Sequence, residues 1–249
     1  MRRAALVASL FALLAPGALA GPAVAPPKME GPFLQGADLY WVWRAPHPKS
    51  VIVFMHGLDQ SELYPGNHLP WIEHLVRAGN DVIYPRYETA PGRGPALLHS
   101  AKAVVAAMVR LGAPRVPVVF AGYSRGGRLT AELAAAAWRF KVVPAGVFSV
   151  FPSELNPQLE EVVDFKRLPH AARVVLLAGQ EDSPAGVHEL LLRLRDGGFP
   201  ADHVFAEIVR SKGSFHADHF SAMQTTPEAK KQFWGRLDDL VAGARAGYR

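Results

Sequence analysis

Apolar and polar residues follow one another in blocks that predict strands and helices in turn. Runs rich in apolar and aromatic residues, typical of strands, lie at 39–43, 51–55, 81–84, 116–121, 142–150, 174–178 and 204–209. Apolar residues at helical spacing occupy segments between these runs, at 70–78, 95–111, 128–138 and 187–194. A last helix is predicted after Thr226, whose side chain can cap it, with Pro227 in the first turn.

The alternation of strands with helices decides the fold class. Parallel strands need crossover connections, and helices supply them, so this order predicts an α/β protein with a mostly parallel sheet and helices on both faces. Sites in such sheets lie beyond the carboxyl ends of the strands. The residues that directly follow each predicted strand are therefore the first place to look for chemistry.

The first residues of the chain have the pattern of a secretory signal peptide. Two arginines at the start precede an apolar stretch at 4–14 that is too short to span a bilayer, and small residues follow at 18–20. We predict cleavage after Ala20, with Ala25 as the alternative site and an uncleaved anchor as the competing interpretation. The pattern predicts a secreted or periplasmic protein with no stable membrane insertion once the signal is removed.

The remainder divides into a short linker and one large domain. Proline recurs within residues 21–30, which we interpret as an extended linker, and residues 31–249 then form a single predicted domain. The chain has 249 residues, of which 49% are hydrophobic, and this is enough for a sizeable buried core.

Charge and cysteine content exclude several classes of function. There are 27 lysines and arginines against 22 aspartates and glutamates, but no block of five like charges, so nucleic-acid binding is not predicted. The absence of cysteine excludes disulfides, a thiolate nucleophile and cysteine-ligated metals. No glycine-rich nucleotide motif occurs, and we predict no cofactor.

A metal site is also not predicted. The segment His216-Ala217-Asp218-His219 is similar to part of a histidine-rich zinc motif, but that motif needs a further histidine where Ser214 stands. No other histidine pair has the spacing of a zinc-binding helix. We expect a site without metal.

The segment Gly122-Tyr123-Ser124-Arg125-Gly126-Gly127 lies between a predicted buried strand and a predicted helix. A strand that reverses sharply into a helix holds its central residue in a strained conformation, and flanking glycines leave room for the chain. Such a turn would raise the Ser124 hydroxyl above the sheet. The helix behind it would direct N–H groups and a positive dipole end toward a developing oxyanion.

With this serine motif the chain resembles the α/β-hydrolase family, as a compact bacterial esterase-like or lipase-like member. The segment Phe54-Met55-His56-Gly57-Leu58 is similar to the family's first oxyanion segment. The resemblance implies that the backbone N–H groups of Leu58 and Arg125 form the oxyanion hole. It covers nearly the whole chain after the signal peptide.

The resemblance also implies a chain order of nucleophile, acid and histidine. Ser124 comes first, and Asp182 follows the strand predicted at 174–178. His219 precedes the last helix and would take the proton of the serine. Alternatives remain open at this stage: Glu181 or Glu154 for the acid, and His216 for the base.

Residues near the predicted site are candidates for substrate binding. Gly57, Tyr123 and Tyr64 belong to segments that would border the cleft in this fold. Residues 151–173 are too few for the large helical lid of many family members, so we expect an open cleft with little or no cap domain.

These observations together predict an exported serine hydrolase that cleaves small-molecule or polymeric carboxylic esters through an acyl-enzyme. An acyltransferase, a peptidase or a polyester depolymerase would use the same residues. A non-catalytic binding protein on the same fold is the alternative from another class. The oligomeric state is left open by the sequence.

Overall fold

A computed structural model describes residues 25–90, 92, 94–156 and 161–248, so the predicted signal peptide (1–20) lies outside the described residues. Eight strands of the described residues form one sheet: β1 (Met29–Phe33), β2 (Tyr40–Trp43), β3 (Ser50–Met55), β4 (Asn80–Pro85), β5 (Val118–Tyr123), β6 (Pro144–Val150), β7 (Arg173–Gly179) and β8 (Val204–Val209).

Helices connect these strands. They are α1 (Leu69–Arg77), α2 (Ala96–Arg110), α3 (Arg125–Ala136), α4 (Ala185–Asp196), α5 (Pro227–Ala229) and α6 (Gly235–Gly247), with a π-helical segment Lys230–Trp234 joining the last two. Within the described part of the chain, no helix combines the length and the apolar character needed to cross a bilayer.

The sheet has the order β1-β2-β4-β3-β5-β6-β7-β8. Every neighbouring pair from β4 to β8 is parallel, whereas β1 and β2 are antiparallel to their neighbours. The predicted α/β class with a mostly parallel sheet is therefore confirmed. All residues of β3, β4 and β5 are buried, which is why these strands are mostly apolar rather than alternating, with polar residues only at the starts of β3 (Ser50) and β4 (Asn80 and Asp81).

Hydrophobic cores lie on both faces of the sheet. One core contains the inner faces of α2, α3 and α4, and the other contains those of α1 and α6. Helix α3 is buried at every position, which explains its alanine-rich sequence: small side chains let it pack closely on β5 and β6.

The structure corrects the predicted elements at the two ends of the domain. Strand β1 was not predicted, because its sequence has no apolar run; it is an edge strand whose residues are exposed or half-buried, and it contains Pro32. It also takes Met29 and Glu30 from the range assigned to the linker. The last helix begins as predicted, with Thr226 capping the Ala229 N–H, but it changes to π-helical geometry within two turns.

The segment between β6 and β7 carries no large cap among its described residues. A short 3₁₀ helix, Phe165–Arg167, is the regular structure within residues 151–156 and 161–172. The carboxyl ends of β5, β6 and β7 lie on the same edge of the sheet, because these strands are parallel neighbours. This edge is where sites in such sheets form.

Helix α3 approaches the end of β3 so closely that a side chain cannot be accommodated between them. A Cβ at Gly126 would lie 2.1 Å from the His56 carbonyl oxygen and 2.4 Å from that of Met55. We expect Gly126→Ala to lower the free energy of unfolding by about 3 kcal/mol or more, because backbone would have to move. Urea unfolding followed by circular dichroism measures this change.

The matched control is Gly243→Ala in α6, where a Cβ meets nothing within 4 Å. Alanine is the better helix former, so this variant should be as stable as the wild type or up to about 1 kcal/mol more stable. Equal stability of the two variants would contradict the close approach of α3 and β3.

Candidate active site

Ser124 occupies a sharp turn between β5 and α3. Its φ of 56° and ψ of −126° place it in a strained region of backbone space. The turn is held by hydrogen bonds: the Ser124 N–H donates to the Val150 carbonyl at 2.9 Å, and the Ser124 carbonyl accepts from the Ser153 N–H at 3.2 Å. The predicted reversal of strand into helix is thus present, one residue before α3 begins.

Three side chains from separate loops meet at this turn. His219 Nε2 lies 2.9 Å from Ser124 Oγ, and His219 Nδ1 lies 2.8 Å from Asp182 Oδ2. A carboxylate only accepts, so the ring carries its hydrogen on Nδ1 and presents a lone pair to the serine hydroxyl. A serine hydroxyl, an imidazole and a carboxylate linked in this order can act as nucleophile, base and orienting acid.

The alternatives for the acid and the base form a separate pair on the surface. Glu181 lies 3.1 Å from His216 Nδ1 and accepts a hydrogen bond from Ser211 Oγ. These hydrogen bonds, that of Ser211 first, lower the pKa of Glu181. The third candidate acid, Glu154, is exposed at the edge of the cleft and makes no contact with His219 among the described hydrogen bonds.

Aromatic side chains hold the imidazole of His219. The ring centroid of Tyr123 lies 5.2 Å from that of His219, Phe151 lies at 5.9 Å, and Phe220 lies at 5.7 Å in an edge-on arrangement. Tyr123 and Phe151 are buried, whereas Phe220 is 64% exposed. The histidine is therefore fixed from below and open toward solvent on one side.

The segment after β3 is anchored by buried hydrogen bonds. His56 Nδ1 lies 2.7 Å from the Gly57 carbonyl oxygen and Nε2 lies 2.7 Å from that of Arg86. Tyr87 donates its hydroxyl to the His56 carbonyl at 2.5 Å. Burial lowers the pKa of His56 to about 4, so at neutral pH its single N–H donates to one of the two carbonyl oxygens at a time.

An open cleft of about 280 Å³ lies above Ser124. Its described lining consists of Leu58, Gly92, Ser124, Arg125, Arg128, Ser153, Glu154 and Asn156. Both residues predicted to supply oxyanion N–H groups therefore border the same cleft as the serine.

The three residues predicted to bind substrate lie in three different environments. Gly57 is buried behind Leu58. Tyr123 is only 2% exposed and supports His219 from beneath. Tyr64 is exposed and packs its ring edge against Trp41, with Arg86 above it, and it is not among the described residues that line the cleft.

Sequence reasoning missed the buried charges around the cleft. The side chain of Arg125 is 6% exposed and forms an ion pair with Glu88, which also accepts from the Gly92 N–H at 2.9 Å. Glu62 and His68 form a second buried pair. Charged residues in loops are usually solvated, so the sequence gives no direct sign that these side chains are buried. The aromatic residues near them in the sequence are the only indication of a buried environment. Within the described residues, no cluster of three acidic or histidine side chains could hold a metal ion.

The buried His56 makes stability depend on pH. Its pKa is about 4 in the folded chain and 6.5 in the unfolded chain, so the unfolded state binds the extra proton between these values. The contribution is complete above pH 6.5 and is lost as the pH falls toward 4, by about 3 kcal/mol at most. Urea unfolding at pH 7 and pH 4.5 should show a smaller pH-dependent loss for His56→Asn than for the wild type.

The surface variant His47→Asn provides the control for that experiment, because His47 is exposed. Parallel loss of stability with pH in the wild type, His56→Asn and His47→Asn would show that His56 does not carry the effect.

Comparisons with known proteins identify the architecture. No protein-family model and no curated protein sequence matches the chain. Solved structures do: esterase B from Lactobacillus rhamnosis, crystallised with a tributyrin phosphonate, is 17% identical with a TM-score of 0.63, over 88% of this chain and 86% of that one.

Two further structures give the same result. An esterase/lipase from an uncultured bacterium is 17% identical with a TM-score of 0.62, over 84% of this chain and 82% of that one. An arylesterase is 14% identical with a TM-score of 0.60, over 92% of this chain and 88% of that one. At these identities the similarity is one of fold, and the chain has the α/β-hydrolase fold.

Proposed function

We propose that this protein is an exported serine hydrolase that cleaves carboxylic esters through an acyl-enzyme. The observation that carries the proposal is the continuous hydrogen-bonded relay from Ser124 through His219 to Asp182, beside an open cleft. An unassisted serine hydroxyl is a poor nucleophile at neutral pH, and this relay supplies the base it needs.

In the first half of the reaction, Ser124 Oγ attacks the ester carbonyl carbon while its proton moves to His219 Nε2. Asp182 keeps the ring oriented through Nδ1 and stabilises the imidazolium that forms. The tetrahedral intermediate then collapses: the bond to the alcohol oxygen breaks, and that oxygen takes the proton from Nε2. The acyl group remains on Ser124.

Water completes the cycle in the same manner. His219 Nε2 takes a proton from a water molecule, whose oxygen attacks the acyl carbon, and the proton then returns to Ser124 Oγ as the carboxylic acid leaves. His219 is 36% exposed on its side chain, so water reaches the base without a conformational change.

Negative charge develops on the carbonyl oxygen at each tetrahedral stage. We assign its stabilisation to the backbone N–H groups of Leu58 and Arg125, two residues that line the same cleft as Ser124. The first turn of α3 adds its positive dipole end, since N–H groups at the start of a helix lack intrahelical acceptors. One such donor lowers the barrier by about 3 kcal/mol.

The solved relatives support an ester as the substrate. Several of them are esterases, and one was crystallised with a tributyrin phosphonate. The open cleft, bordered by the exposed side chain of Leu58, with exposed Phe220 beside His219, favours esters that are bulky or part of a polymer over small esters sealed in a pocket.

We expect a fluorophosphonate probe to label the wild-type protein and not Ser124→Ala, because phosphonylation needs the activated hydroxyl. Nitrophenyl esters of increasing acyl length should be hydrolysed by the wild type, and Ser124→Ala should lose at least about a thousandfold in kcat. Gel fluorescence and absorbance at the nitrophenolate band measure the two effects. Undiminished labelling of Ser124→Ala would remove this serine from the mechanism.

The two histidines provide the matched control within the same assay. His219→Ala should lose a similar factor in kcat, whereas His216→Ala should remain within about threefold of the wild type. His216 contacts Glu181 rather than Ser124, so its loss leaves the relay intact. The reverse order of effects would reassign the base.

Export is proposed from the pattern of residues 1–20 alone. Expression of the full chain in a bacterium should release a protein whose first residue is Gly21, as read by mass spectrometry of the extracellular or periplasmic fraction. Replacing Arg2 and Arg3 by glutamate should retain the uncleaved chain inside the cell. An uncleaved chain in the exported fraction would contradict the proposed cleavage.

A further inference from the structure

A buried carboxylate–imidazole pair, Glu62 and His68, lies beside Gly57 and takes no part in the relay. Glu62 and His68 are 4% and 1% exposed on their side chains, and His68 Nε2 lies 3.1 Å from Glu62 Oε2. Both residues belong to the 3₁₀-helical segments between β3 and α1. Burial of a carboxylate is costly unless hydrogen bonds compensate for the lost hydration. The groups that donate hydrogen bonds to Glu62 therefore indicate which part of the structure it positions.

The principal partner of Glu62 is the backbone of Gly57. The Gly57 N–H donates to Glu62 Oε2 in a short hydrogen bond. The carboxylate packs directly on this glycine, since a Cβ at position 57 would lie 2.8 Å from Oε2. The segment that carries Glu62 is itself fixed, because Tyr84 donates its hydroxyl to the Glu62 carbonyl at 2.6 Å.

His68 keeps the carboxylate in place. Its Nδ1 is buried and has no hydrogen-bond partner among the described residues, which favours the tautomer with the hydrogen on Nε2. That N–H donates to the same Oε2 that accepts from Gly57. Rotation of the carboxylate would therefore break both hydrogen bonds at once.

The next peptide group, between Gly57 and Leu58, is held by other buried side chains. The Gly57 carbonyl points into the interior, toward His56 Nδ1 at 2.7 Å and the Tyr87 hydroxyl at 3.3 Å. In a planar trans peptide the following N–H points the opposite way. The N–H of Leu58 therefore points away from the buried His56 and Tyr87, and Leu58 lines the cleft above Ser124.

We propose that Glu62, held by His68, is a positioning residue for the oxyanion hole: it fixes the peptide group before Gly57, while His56 and Tyr87 hold the one after it, so that the Leu58 N–H stays directed at the substrate carbonyl oxygen. The inference rests on the proposed function. Glu62 does not touch substrate, and its effect passes through the backbone. Without it, a buried N–H on a glycine would lack an acceptor, and the peptide would turn to find one.

The test compares two substitutions of nearly equal size. Glu62→Gln keeps an oxygen that accepts from the Gly57 N–H, whereas Glu62→Leu removes the acceptor. Active sites are first counted by fluorophosphonate titration, and kcat and KM for nitrophenyl butyrate are then measured per titrated site. We expect Glu62→Leu to lose about a hundredfold in kcat with KM within threefold, and Glu62→Gln to stay within threefold in both.

A purely structural role for Glu62 would give a different result. Glu62→Leu would then show fewer titratable sites and a lower Tm, but wild-type kcat at each site that remained, and this would overturn the proposal. Equal loss of kcat in Glu62→Gln and Glu62→Leu would also overturn it, because the acceptor oxygen would not be what matters.

His68→Leu decides the matter if Glu62→Leu does not fold. It removes the donor that holds the carboxylate but leaves Glu62 itself, so we expect about a tenfold loss in kcat with KM unchanged. Wild-type kcat per site would overturn the proposal. Failure of the proposed function and failure of the role of Glu62 give different results. Wild-type turnover by Ser124→Ala would refute the serine mechanism. Loss of turnover in Ser124→Ala together with wild-type kcat per site in Glu62→Leu and His68→Leu would refute only the role of Glu62.

Discussion

The close approach of α3 to the end of β3 is the contact on which the site depends. Gly126 stands against the carbonyl groups of Met55 and His56, where even a methyl group does not fit. This approach brings Leu58 and Arg125 to the same cleft as Ser124. The strain at Ser124 is sustained because β5, β6 and α3 are buried around it.

Around this contact, the polar backbone groups are restrained by buried side chains. His56 bridges toward the carbonyls of Gly57 and Arg86, Glu62 holds the Gly57 N–H, and Glu88 joins Arg125 to the Gly92 N–H. Buried charges of this kind contribute little net stability, because desolvation offsets their attraction. What these contacts do provide is a fixed orientation of the loops that border Ser124.

The relay and the surface pair Glu181–His216 show how tertiary placement separates chemically equal residues. Glu181 and Asp182 are neighbours in the same turn, and His216 and His219 lie in the same loop. The turn after β7 nevertheless directs Asp182 to the buried side, between Ser183 N–H and His219, and leaves Glu181 with Ser211 and His216 at the surface. In a tight turn, side chains of adjacent residues can point to opposite sides, so Glu181 and Asp182 have different partners.

The sequence alone predicts the α/β class, most strand and helix positions and the turn at Ser124, because buried strands, amphipathic helices and glycine-flanked turns have local signatures. It did not reveal β1, whose residues gain their strand conformation only by pairing with β2. It did not show which of His216 and His219 lies beside Ser124, or that Glu62 and Arg125 are buried. The neighbours and the burial of these side chains depend on contacts between residues far apart in the chain, such as Ser124 and His219. Local sequence patterns do not encode such contacts, because they form only when the folded chain packs.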